Sequence, residues 1–361
     1  MHHRWLRFAV AFACISGSAF AGTSYTVREI GALHQGGTTL GRKIDNTSGV
    51  IIGSSGVIHG SNTHAFVWSN GKGMSDLGVL PGGHYSEAFG ANGLGDIVGD
   101  SNNAKTLRAV HWDASGQMHQ LKPLPGDTSS RAYAINNAGE TVGFSSGSHG
   151  VHAVLWSASG EPQDLGTLPG GDYAEATSIN NSGQVVGVST TPEGRHAFLW
   201  SAHDGMTDLG TLPGDYGSFP VRITDAGAIV GSSFGKANFH GFIWTRQDGM
   251  RDVGTLKGSL YCETLDADNH GIAVGAVQTN LGGRAFVWKE GQGIEDLNTM
   301  IDPDLDVVLT SAMSVNDRGQ IVALGAPHHD HNNDRMMDMD DETHAGPIHV
   351  YLLTPRKSPA N

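Results

Sequence analysis

"HAFLWS", residues 196–201, sets a histidine and two aromatic rings within five positions. Read alone, it looks like an aromatic box for a ligand. Its relatives along the chain decide the matter. "HAVLWS" stands at 152–157 and "HGFIWT" at 240–245, each 44 residues away. After Trp5 the tryptophans fall at 68, 112, 156, 200, 244 and 288, always with that same step. A fixed period of this length marks an array of structural repeats, which must be settled before any single motif is trusted.

Two further markers keep the step. "DLGVL" at 76, "DLGTL" at 164 and 208 and "DVGTL" at 252 form one series, with weaker copies at 29, 120 and 296. "INNSGQVVG" at 179 has relatives at 135, 223 and 315. Each marker occurs seven times, although the seventh copy of the first, "HVYLL" at 349, lacks the tryptophan. One unit reads as four short strands, at 176–180, 184–188, 196–200 and 206–212. Between the first two, Asn180-Asn181-Ser182-Gly183 has the chemistry of a type I turn followed by a left-handed residue. The same pattern starts at Asn46, Asn92, Asn136, Thr224, Asp268 and Asn316.

Four antiparallel strands in about 44 residues, repeated seven times, predict an all-β chain: a seven-bladed β-propeller of four-stranded repeats. The offset ends extend the prediction. The N-terminal 25–33 reads as a fourth strand and the C-terminal 349–353 as a third, so one blade would combine both chain ends and close the ring. A solenoid of such coils would need end caps, and little of the chain lies outside the repeats.

The three motifs in this order resemble those of the HAF-repeat family of extracellular repeat proteins, over roughly residues 25–353. The resemblance implies an exported repeat protein and no established chemistry. The chain departs from the motif at Arg284, at "RAVHW" (108–112) and throughout the last unit.

The address is read separately. Arg4 and Arg7 precede a short apolar run, and Ala19-Phe20-Ala21 is an A-x-A cleavage site. Residues 1–21 therefore read as a signal peptide, with the propeller over 22–353, a polar tail at 354–361 and a periplasmic or extracellular destination. No transmembrane segment is expected. Loss of residues 1–21 removes Cys14, leaving Cys262 as the only thiol, so no internal disulfide is expected. Net charge is −14 and becomes more negative without Arg4 and Arg7. Such a surface repels nucleic acid, which needs clustered Lys and Arg. A monomer is expected.

Candidate sites are weighed against the repeat. His196 and Trp200 have copies in most units, so they are scaffold rather than chemistry. On the expected innermost strand three alternate units share Tyr-x-Glu: Tyr85 and Glu87, Tyr173 and Glu175, Tyr261 and Glu263, with Arg131 in the matching place of another unit. These residues are expected at the channel mouth, facing a cation, a sugar or a basic peptide. Two carboxylates there would serve as acid and base only if their surroundings separated their pKa values.

One segment breaks the period, an insertion at 326–346. It holds His328, His329, Asp330, His331, Met336, Met337, Met339 and His344, whose imidazoles and thioethers suit copper or zinc. The expected function is an exported, non-enzymatic binding scaffold for a protein, glycan or small ligand, with no cofactor required. The alternatives are an envelope copper- or zinc-binding protein acting through the insertion, and a hydrolase or lyase with its centre at the channel mouth. Fold alone does not choose among them.

Overall fold

A computed structural model describes residues 23–35, 37–56, 62–236, 238–259, 261–280, 282–327 and 348–356. Residues 1–21, read as a signal peptide, the candidate metal ligands of the insertion from His328 to His344 and the end of the polar tail lie outside these residues. The described residues are all-β: they form 28 strands and one short 3-10 helix, Leu297–Met300.

The strands form five four-stranded antiparallel sheets and one eight-stranded sheet. In the latter, two four-strand groups meet through a parallel bridge from Phe239 to Tyr261. The fourth repeat is typical: Ala174–Ile179, Val185–Thr190, Arg195–Ser201 and Gly205–Asp208, each paired with the next. Repeats are numbered from the group that begins at Thr38. Their first strands are Thr38–Ile44, Ser86–Ala91, Asp127–Ile135, Ala174–Ile179, Gly217–Ile223, Tyr261–Ala267 and Val308–Val315. The N-terminal Tyr25–Glu29 pairs antiparallel with the C-terminal His349–Pro355, in the sheet that also holds Val308–Val315 and Ile321–Ala326.

Each first strand carries a β-bulge against its neighbour, at Thr177 in the fourth repeat. A bulge leaves one residue unpaired and re-aims its side chain. The glycine of "QVVG" follows from it. Opposite the bulge the backbones close in, and a Cβ on Gly187 would lie 2.1 Å from the Glu175 carbonyl oxygen.

The outermost strand is shorter than the expected 206–212, ending at Asp208. Asp208 Oδ1 accepts a hydrogen bond from Gly210 N at 2.7 Å, and Gly210 has φ +69°, so the chain turns out of the sheet there. At the N-terminus the strand likewise stops at Glu29 rather than at Leu33.

The core lies between the sheets. Phe198, Trp200 and Val185 of the fourth repeat pack on Ala134, Val142 and Ala153 of the third. Ile44, Ile51 and Phe66 of the first repeat pack in the same manner on Val322, Val350 and Leu352 of the last. The tryptophans join both packing and polar bonding: Trp112 Nε1 donates to the Leu77 carbonyl at 2.8 Å and Trp156 Nε1 to that of Lys122 at 2.6 Å. Burying large rings this way removes much apolar area from water while the indole N–H stays satisfied.

Candidate functional site

The histidine of the opening motif latches two strands. His196 Nδ1 meets Asp208 Oδ2, the aspartate of "DLGTL", at 2.8 Å. His64 and Asp76 repeat the contact at 2.8 Å, and His152 and Asp164 at 3.5 Å. His349 meets Glu29 at 2.5 Å across the two chain ends. In the fifth repeat the latch is undone, because His240 Nδ1 turns instead to Asp215 Oδ2 at 3.2 Å.

The turns after the first strands hold one end of the assembly. Asn137 Oδ1 accepts from Gly93 N, Asn181 Oδ1 from Asn137 N, and Asp225 Oδ1 from Asn181 N, at 2.9–3.0 Å. Asn269 and Asp317 continue the chain of bonds, and Asn46 accepts from Asp317 N at 3.3 Å. Just inside this end, Lys43 Nζ meets Asp266 Oδ2 at 2.6 Å, and Arg222 Nε lies 3.5 Å from Asp266 Oδ1. Burial pushes the Asp266 carboxyl up, but the Lys43 and Arg222 charges outweigh it and hold it below the usual range. Burial lowers Lys43 to about 8, aided by Arg222 and opposed by Asp266. Lys43, Arg222 and the turn residues line a polar cavity of about 170 Å³.

The opposite ends of the first strands carry the Tyr-x-Glu residues. The Tyr85 hydroxyl donates to Glu87 Oε2 at 2.8 Å, and the Tyr261 hydroxyl donates to Glu263. In the fourth repeat Tyr173 and Glu175 lie close enough for each to shift the other's ionisation. Glu87 is buried, with Arg42 Nε at 2.7 Å and the Ser54 hydroxyl at 3.3 Å. Arg131 is engaged by Asp100, Nε to Oδ2 at 2.5 Å, and lies over the rings of Phe89 at 5.1 Å and Tyr133 at 5.8 Å. Arg195 covers Tyr173 at 4.6 Å.

The sequence pattern thus places all seven predicted residues on first strands or just before them. It does not foresee that Glu87 and Arg131 are already committed to partners. By contrast, neither Glu175 nor Glu263 has an ion-pair partner among the described residues. Burial raises the Glu175 carboxyl, more than Tyr173 and the Arg195 and Arg131 charges lower it. Burial, aided by Glu175, pushes Tyr173 up to about 12, so its hydroxyl stays a donor at neutral pH.

Arg42, Phe89, Tyr133 and Asp100 are the residues that sequence reasoning missed. Arg42, Phe89 and Tyr133 occupy bulged positions, which period-two alternation does not place. Asp100 left a signal: it stands where other repeats have Phe144, Val188, Ser232 or Ala276. It is paired across the strands with Glu87. Burial raises Asp100 to about 6, against the pull of Arg131 and with help from the Glu87 charge. Cys262 is buried, and burial pushes its thiol up to about 12, so it is no nucleophile. Among the described residues no cluster of His, Cys, Asp or Glu has the geometry of a metal site, and no helix is long and apolar enough to cross a membrane.

No protein-family model matches the chain, and no curated protein sequence does. Solved structures do match. YCF48 bound to D1 peptide is 12% identical, over 92% of this chain and 97% of that one, with a TM-score of 0.53. A streptogramin B lyase is 12% identical, over 94% of this chain and 100% of that one, with a TM-score of 0.54. TolB from Acinetobacter baumannii is 11% identical over 70% of this chain, which spans only 64% of that one at a TM-score of 0.48, a likeness too loose to bear on function. With the four-stranded sheets, the likenesses to YCF48 and the streptogramin B lyase show the fold: a β-propeller.

Proposed function

We propose that this propeller is an exported, non-enzymatic binding scaffold whose channel mouth takes a cationic ligand, such as a basic peptide, on Glu175 and Glu263. One observation carries the reading. At the mouth the guanidinium groups of Arg42 and Arg131 are taken up by Glu87 and Asp100, whereas Glu175 and Glu263 lie beside tyrosines and have no ion-pair partner among the described residues. The paired charges form a fixed frame, and the two unpaired carboxylates are what the frame offers. The chain's net charge of −14 adds long-range attraction for a cation.

The frame belongs, in this reading, to a seven-bladed ring closed by the two chain ends. Supporting it are the pairing of Tyr25–Glu29 with His349–Pro355, the packing of the last repeat on the first, and the turn-to-turn bonds that pass from Asp317 to Asn46. The resemblance to HAF-repeat proteins and the signal peptide at 1–21 accord with export.

An enzyme would draw on Glu87 and Asp100, two carboxylates that lie opposite one another across paired strands. Both are buried and held by arginines, and Asp100 is wholly enclosed. A general acid must reach the atom it protonates, so binding is the better reading. Copper or zinc capture by His328, His329, His331 and His344 remains a separate proposal for the insertion.

The test is calorimetric titration of hexalysine into the mature protein at low ionic strength. Wild type should bind, and affinity should fall with added salt. The double change Glu175→Gln and Glu263→Gln should weaken binding at least tenfold with an unchanged melting temperature. Acid should also weaken it, sooner than for ordinary carboxylates, because the Glu175 carboxyl is raised. Absence of hexalysine binding, or binding indifferent to the double change, overturns the reading.

A further inference from the structure

We propose a second binding site, for one pyranose ring of a carbohydrate, at the rim between the fifth and sixth repeats. It goes beyond the cation site at the mouth and shares with it only Tyr261, whose hydroxyl bonds Glu263 there and whose ring lines the cavity here. In a repeat protein each unit shows what the fold requires of the others. What a single unit changes is therefore informative. Where the fourth repeat has Asp172, Thr190 and Arg195, the fifth has Tyr216, Phe234 and Phe239. The sixth has Gln278 and Gly283 at the last two of these positions.

The departures touch one another. Tyr216 meets Phe234 edge-on with centroids 5.5 Å apart, Phe234 stacks on Phe239 at 5.5 Å, and Phe239 lies 4.8 Å from Tyr261. Tyr216 is 50% exposed and Phe239 38%, although both are large rings. Beside them, the His–Asp latch is the one that is undone. Asp215 stands where the fourth repeat has Gly171, and it draws His240 away from Asp252. The gap left behind is a cavity of about 220 Å³ lined by Phe239, His240, Asp252 and Tyr261. Asp252 Oδ1 accepts from Gly254 N at 2.7 Å, and its other oxygen takes no hydrogen bond from a described residue.

The chemistry fits a sugar. The exposed rings of Tyr216 and Phe239 offer apolar surface for the C–H side of a pyranose, and a carboxylate oxygen and an imidazole beside them can bond hydroxyls. The cavity is smaller than the roughly 300–1,000 Å³ of sites for drug-sized molecules, so it takes a single ring. A quaternary ammonium would instead call for rings arranged around it as a cage, and these form a row.

The probes are cellotriose, maltotriose and chitotriose, each offered to the mature protein and read by saturation-transfer NMR. At least one should bind. Phe239→Thr, which installs the residue of the first repeat at Thr63, should weaken that binding tenfold or more, while Phe239→Tyr retains it. Asp215→Gly should return His240 to Asp252, close the cavity and abolish binding at an unchanged fold. Hexalysine binding should survive Phe239→Thr, so the two sites can fail separately. The proposal is overturned if none of the three sugars binds, if binding ignores both Phe239→Thr and Asp215→Gly, or if choline displaces the bound sugar.

Discussion

Asp100 shows most clearly what single residues do here. It is a carboxylate in a position that other repeats give to apolar or small side chains, enclosed between Glu87 and Arg131. Its carboxyl is raised to about 6 in the folded protein against roughly 3.9 in an unfolded chain. The sign follows from linkage: the folded state binds this proton more tightly, so the residue's contribution to stability falls as pH rises from about 4 to about 6. Urea unfolding across that window should therefore show wild type losing stability relative to Asp100→Asn as pH rises. Parallel profiles would show that Arg131 cancels the cost of burial. None of this is legible in the sequence as a partnership. Period arithmetic flags Asp100 as odd, but Arg131 lies 31 positions away in the next repeat, and Lys43 and Asp266 are 223 apart. Tyr-x-Glu was legible because it recurs; which of its members are free was not, because that depends on Arg42 and Asp100, which do not recur.

At the scale of the element, the turn after each first strand both ends one hairpin and joins the next. Asn180 Oδ1 accepts from Ser182 N at 3.1 Å and Gln184 N at 3.0 Å, while Nδ2 donates to the Thr224 carbonyl at 3.2 Å. Asn180 is almost fully buried, so its removal leaves donors and acceptors without partners. Asn180→Ala should cost about 2–3 kcal/mol in chemical denaturation, with Asn180→Asp intermediate because it lacks the donor. A loss below about 0.5 kcal/mol would mean that the turn-to-turn bonds contribute no cohesion. The local half of this role was readable from the Asn-x-x-Gly pattern and its left-handed Gly183, φ +75°. The bond to the next repeat was not, since it needs the geometry of stacked sheets. The ends of the outer strand were misplaced for a related reason: "DLGTL" alternates like a strand, but the Asp208 carboxylate bonds the Gly210 N–H and lifts the chain away.

At the scale of the whole molecule, the repeat explains both what is uniform and what is exceptional. The recurring features, aromatic wedges between the sheets and His–Asp latches in three repeats, make a scaffold that tolerates local change. The exceptional ones gather in two places, the charged mouth and the aromatic rim of the fifth repeat, and both lie where first strands begin. The fold was legible because seven copies of three motifs overdetermine it. Its single weak point is the seam, where five N-terminal residues complete a sheet begun more than three hundred positions later. Tyr25 is buried there against Leu309, Leu353 and Val315, and burial, with Asp268, pushes its hydroxyl up to about 12.

Closure of the ring, which the proposed sites presuppose, is put to the test by thermal unfolding of the mature protein beside a version lacking Tyr25–Glu29. Losing one buried tyrosine and a five-residue ladder is worth several kcal/mol. If the ends close the ring, each protein shows one cooperative transition, lowered by roughly 10 °C or more in the truncated one. An unchanged melting temperature would mean that the two ends do not close the ring.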